Sequence, residues 1–171
     1  MLIKNIKNHR RLSKQVLLNT NFIFVTLGQT EAWIDKKHKF IWGATPILCE
    51  DFFQDIKNYL NKNFNLEEII NDLSFIVEKL QTANPSITIF LTLSPVPSQA
   101  TFFDHNVILS SSTGKAKLRL AIDNILKNYD NIHYIPSYEN VILHNKNFKI
   151  DNRHVKKRKV RNIFSVFKQN C

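Results

Sequence analysis

"SITIFLTLSPVP", residues 86–97, decides how the rest of the chain is read. Ile87, Ile89, Phe90, Leu91 and Leu93 make an almost unbroken apolar run, and Pro95 and Pro97 stop it. A run of this length closed by prolines reads as a strand buried on both faces, the kind that sits inside a parallel sheet. Two similar runs flank it. "NFIFVTLG" (21–28) ends at Gly28, and "NIHYIPSYE" (131–139) has its strand stopped by Pro136.

The segments between these strands have helical periodicity. Leu66, Ile69, Ile70, Leu73, Ile76, Val77 and Leu80 recur at helix spacing over 65–83. Asn65 with Glu68 predicts a capping box at its start, and Asn84-Pro85 predicts its end. Leu118, Ala121, Ile122, Ile125 and Leu126 predict a second helix over about 115–127, after a Ser/Thr-rich loop. Val155, Val160, Ile163, Phe164 and Phe167 predict a last helix over 155–167. A weakly amphipathic helix is expected over 2–18, and a long loop with a short helix over 35–63. Strand and helix thus alternate, the order of a three-layer α/β/α sandwich around a parallel sheet. In such sheets ligands bind beyond the carboxyl ends of the strands. That rule nominates residues 28–33, 94–101 and 136–139.

The 171 residues, 43% hydrophobic with 13 Phe, suit one domain with a core of its own. The two cysteines, Cys49 and Cys171, make no disulfide framework, and the six histidines have no metal-ligand spacing. No metal or cofactor is expected. There is no apolar run long enough to span a membrane, and the first 20 residues lack a signal-type apolar stretch, so a cytoplasmic protein is expected. The net charge of +10 is concentrated at the ends. Residues 1–20 carry five Lys/Arg and no acid, and residues 149–171 carry eight and one acid. With no stacking motif or reading fold beside it, this charge reads as solvated lysine rather than a nucleic-acid surface.

The chemistry centres on "DNRHV" (151–155). An Asp three residues before a His can reach its ring and hold it in one tautomer, as the acid does in a Ser-His-Asp site. "TLGQTEAW" (26–33) places Gly28, Thr30 and Glu31 beyond the end of the first strand. "SPVP" and "PSYE" read as structural turns, with Tyr138 packing to anchor the second. "SSSTGKAK" (110–117) lacks the Gly spacing of a phosphate loop.

Taken in order, "FVTLGQTEAW", "ANPSITIFLTLSPVPSQAT", "GKAKLR", "YIPSYE" and "DNRHV" resemble the GSCFA domain family, from about residue 21 to residue 167. That family resembles the SGNH/GDSL hydrolases, which implies a flavodoxin-like fold, ester hydrolysis or acyl-group chemistry, and an acyl-ester or acylated-sugar substrate. The resemblance makes His154 the base and Asp151 its orienter. It sets Gly28, Thr30 and Glu31 on the oxyanion side, with Thr30 where relatives carry Asn. Gly114 stands where relatives tend to carry Ser. The Gly-Ser-Cys-Phe-Ala stretch that names the family, and whose Ser is the expected nucleophile, does not occur in this sequence. The three strands would then be strands 3, 4 and 5 of the fold, adjacent and in order. The expectation is a basic helix (1–20) followed by a partial GSCFA domain (21–171). It would be inactive alone and completed by an N-terminal fragment or partner that covers the open sheet edge. The rival expectations are a non-catalytic interaction module and, behind it, a basic nucleic-acid binder.

Overall fold

The computed structural model describes residues 2–42, 56–143 and 145–170, with side chains over 5–42, 56–143 and 146–165. After helix α1 (Leu2–Asn19) comes strand β1 (Phe22–Leu27). Three short strands follow: β2 (Glu31–Asp35), β3 (Phe40–Trp42) and β4 (Tyr59–Asn63). Then come α2 (Leu66–Ala83), β5 (Thr88–Leu93), α3 (Val107–Asn128) and β6 (Ile132–Ile135). The chain continues through the short helix α4 (Ser137–Ile142) to α5 (Lys157–Asn170).

The three apolar runs form one parallel sheet in the order β1-β5-β6. The strands are adjacent and in chain order, as the family resemblance implies. β5 is central, and Ile87, Ile89, Leu91 and Leu93 are sealed from solvent. They pack with Ile69, Leu73 and Val77 of α2 and with Leu118, Ala121, Ile122 and Ile125 of α3. On the opposite face, Phe24 stacks on Phe90 at 5.2 Å and meets Phe164 of α5 edge-on. Helices thus flank the sheet on both sides in a three-layer α/β/α arrangement. The capping box of α2 is formed: Asn65 Oδ1 accepts the Glu68 N–H, and Glu68 Oε2 accepts the Asn65 N–H, both at 2.9 Å. None of the described helices is long and apolar enough to cross a membrane.

Two expectations need correction. Where a loop was expected over 35–63, the described residues build a second sheet, antiparallel, in the order β3-β2-β4. Its strands have three to five residues, too short for an alternation pattern to stand out. The remainder of that segment, 43–55, lies outside the described residues. The second correction is the Ser/Thr-rich loop before residue 115, which is mostly helix. α3 starts at Val107, capped by Asn106, whose side chain accepts the Ile108 N–H at 2.7 Å. Ser and Gly are poor helix formers, so local preference points to a loop. Tertiary packing overrides it: Ser110, Gly114 and Leu118, four apart, form one buried stripe. The phosphate-loop reading is thereby excluded, because Gly114 and Lys115 lie within a helix.

Candidate active site

The carboxyl ends of β1, β5 and β6 lie side by side. The Ser94 N–H donates to the Leu27 carbonyl at 2.8 Å, carrying the β1–β5 pairing one residue further. Beyond these ends, between the sheet and α5, opens a cavity of about 420 Å³. Its walls are largely apolar, with Phe24, Val96, Ile135, Val141, Ile163 and Phe164 among them. His154 reaches it from the turn before α5.

That turn is made by its own sequence. Asn152 takes φ of 51°, a left-handed conformation that Asn tolerates better than most residues. Asp151 Oδ1 accepts the N–H groups of Arg153 (3.0 Å) and His154 (2.9 Å). Asp151 Oδ2 lies 2.6 Å from His154 Nδ1. The His154 side chain, followed by these two N–H groups, holds the Asp151 carboxyl well below the usual carboxylate range. A carboxylate on Nδ1 fixes the proton there and leaves Nε2 to take up or give a proton. The turn is tied down twice more. The Lys149 N–H donates to the His154 carbonyl (2.7 Å), and Arg153 Nε–H donates to the Pro97 carbonyl (3.3 Å).

Local geometry alone does not make this pair special. Asp35 and His38 have the same spacing and the same side-chain contacts: the His38 N–H donates to Asp35 Oδ1 (2.8 Å), and Asp35 Oδ2 lies 2.9 Å from His38 Nδ1. That pair closes the β2–β3 hairpin and lines none of the cavities described here. What singles out Asp151–His154 is its place at the strand ends.

Four hydroxyls share the cavity with His154: Thr26, Thr92, Ser94 and Ser137. Ser137 is committed to the sheet, pairing with the Thr92 hydroxyl and donating to the Leu93 carbonyl at 2.9 Å. Ser94 Oγ accepts the Val96 N–H at 3.3 Å.

Gly28, Thr30 and Glu31 come together, but elsewhere. They line a smaller cavity between the second sheet and α3, which shares no lining residue with the first. Val96 faces one cavity and Ser98 the other, so the 94–100 segment runs between them. Glu31 Oε1 accepts the hydroxyls of Thr101 (2.8 Å) and Ser110. Thr30 is buried, and its carbonyl accepts the Phe64 N–H at 2.8 Å. A Cβ on Gly114 would stand 3.0 Å from Thr30 Oγ1, so the glycine allows α3 to approach a branched residue closely. Gly→Ala in a helix interior ordinarily stabilises by about 1 kcal/mol. Gly114→Ala is expected to fall short of that in the wild-type background and to recover it in Thr30→Ala. Urea denaturation of the four variants measures the difference.

Sequence reading missed Lys115. It is 6% exposed, and its ammonium donates to the Gly28 carbonyl at 2.7 Å. Burial lowers its pKa to about 8. The signal was available: Lys115 precedes Leu118 and Ile122 by three and seven, which puts it on the inward stripe of α3.

No curated protein matches the chain. The model of the GSCFA family matches residues 1–167, nearly its whole length, and the chain belongs to the GSCFA family.

Proposed function

We propose that the Asp151–His154 pair is the acid–base half of an SGNH-like site that hydrolyses or transfers acyl esters. The observation that carries this reading is the 2.6 Å Asp151–His154 contact at the mouth of an apolar cavity beyond the strand ends. In the reaction, a serine hydroxyl attacks the ester carbonyl while His154 Nε2 takes its proton. The same nitrogen returns the proton to the departing alcohol, and Asp151 steadies the imidazolium between the two transfers. The apolar walls suit an acyl chain. Gly28, Thr30 and Glu31 remain the expected oxyanion group by resemblance, although their cavity is the neighbouring one. The nucleophile is assigned outside these residues, because the sequence has no Gly-Ser-Cys-Phe-Ala stretch.

A second reading, the interaction module, is favoured by the position of β1 as an outer strand of the parallel sheet among the described residues. A partner adding a strand there would extend the sheet by backbone pairing. The two readings meet if that partner carries the serine.

Hexanoate, a product analogue, tests the cavity. It is expected to move the His154 ring resonances saturably, and Ile163→Trp, which fills the cavity, is expected to abolish the shift. A chain whose His154 resonances ignore hexanoate has no acyl site there.

A further inference from the structure

The turn that holds Asp151 and His154 is the tip of a small hairpin. Phe148 bridges Val155 in antiparallel fashion, the Lys149 N–H donates to the His154 carbonyl, and the Lys156 N–H donates to the Asn147 carbonyl at 2.9 Å. At its base the hairpin is tied to α4, because the Asn147 amide donates to the carbonyls of Asn140 (3.2 Å) and Val141 (3.0 Å). At the same end it runs into α5. Residues 146–161 hold eight Lys/Arg and one acid, Asp151, and that carboxylate is taken up by His154 and its own turn.

Four of these cations converge. Lys146, Lys156, Arg158 and Lys159, with the amides of Asn147 and Asn162, line a cavity of about 380 Å³ between the hairpin base and α5. No carboxylate stands on its wall, and among the described residues none pairs with any of the four. Lys159 is half-buried there. Like charges gathered without a counter-charge repel one another, and an anion that enters among them relieves this. A phosphate group answers lysine, arginine and amide donors together.

The same unit exposes large apolar side chains. Ile150, at the hairpin tip, is fully exposed, and Ile142 and Leu143 are exposed at the end of α4. A nucleic acid or a free phosphate would use the cations and leave these three in water. No aromatic side chain lines the cavity to stack on a base. A lipid surface uses both, because phosphates meet the cations while aliphatic side chains enter the acyl boundary.

We propose that the hairpin and the ends of α4 and α5 beside it dock on an anionic phospholipid surface, with a lipid phosphate in the cation-lined cavity and Ile150 inserted below the headgroups. Docking is independent of the Asp151–His154 chemistry and is read without turnover.

The test sediments the full chain with vesicles of phosphatidylcholine alone and of phosphatidylcholine mixed with phosphatidylglycerol. Binding to the anionic vesicles alone is expected, weakening as salt is raised. Replacing Lys146, Lys156 and Lys159 together by Gln is expected to weaken it on the order of 10²-fold, at about fivefold per lysine. Ile150→Ser is expected to cost about tenfold with the melting temperature unchanged, because the side chain packs on nothing in the free chain. Replacing Lys7, Arg10 and Lys14 of α1 by Gln removes the same charge elsewhere and is expected to cost far less. Failure to sediment with anionic vesicles overturns the proposal. So does an equal loss in the α1 variant, which would mean that net charge alone is read. Undiminished binding by Ile150→Ser, or tighter binding to duplex DNA or inorganic phosphate than to the vesicles, overturns it as well.

Discussion

The purified chain is expected to release no p-nitrophenol from p-nitrophenyl acetate above the buffer rate. It is expected to gain that activity when a polypeptide bearing the Gly-Ser-Cys-Phe-Ala stretch of a family member is added. The reason is chemical. A histidine held by an aspartate can move a proton, but acyl transfer through a serine also needs the serine. In the mixture, His154→Ala is expected to cost on the order of 10²- to 10⁴-fold, the usual worth of a positioned general base. His38→Ala is the control. It removes a histidine held by an aspartate three residues before it at nearly the same distance, but away from the strand ends, and is expected to change nothing. Three results would count against the proposal. Turnover by the chain alone that His154→Ala abolishes would place the nucleophile inside, with Ser94 the first candidate because it shares the cavity. Turnover indifferent to His154 would remove the pair from the chemistry. A mixture without turnover would leave the interaction module as the surviving reading.

The contrast between the two Asp-His turns shows what was legible in the sequence. Both can be found by spacing, and both form the same contacts, because an Asp whose side chain caps the next N–H groups brings a His three residues on to its other oxygen. Spacing therefore predicts the contact but not the role. The proposed role rests on the sheet, and the sheet was legible: three apolar runs closed by Gly28, Pro95 and Pro136 are β1, β5 and β6. The capping box at Asn65 was legible too, because it is local. The second sheet was not. Its strands are held by pairing across up to 32 positions, as between Glu31 and Asn63, and no short window carries that information. The same is true of the smaller cavity, where Asn61 joins the lining by standing opposite Trp33. The start of α3 was misread for the opposite reason. Its local preferences are real, and packing of its small residues against Thr30 and Glu31 outweighs them.

Burial of Lys115 predicts that the stability of the folded chain depends on pH in the mildly alkaline range. Burial lowers its pKa from 10.5 to about 8, so the folded state releases this proton more readily than the unfolded chain. Between those values the unfolded state binds more protons, and stability rises with pH. Below about 8 both states are protonated and the whole cost of the buried charge is present; above 10.5 both are neutral and the cost is gone. Between pH 7.5 and 9.5 the relief is about 2 kcal/mol. Lys115→Met, which keeps the bulk and drops the charge, is expected to lack this rise, so the stability gap between the two proteins should shift by that amount across the window. Comparing variants cancels the groups that both share. Stopping at pH 9.5 avoids Tyr134, whose hydroxyl is pushed upward by burial and by its hydrogen bonds to Glu139, and which opposes the trend at higher pH. Urea denaturation at a series of pH values measures the gap. Parallel curves would mean that Lys115 remains solvated when charged. The wall between α3 and the Gly28 carbonyl would then be open to water, and the case for a closed polar cavity beside it would weaken.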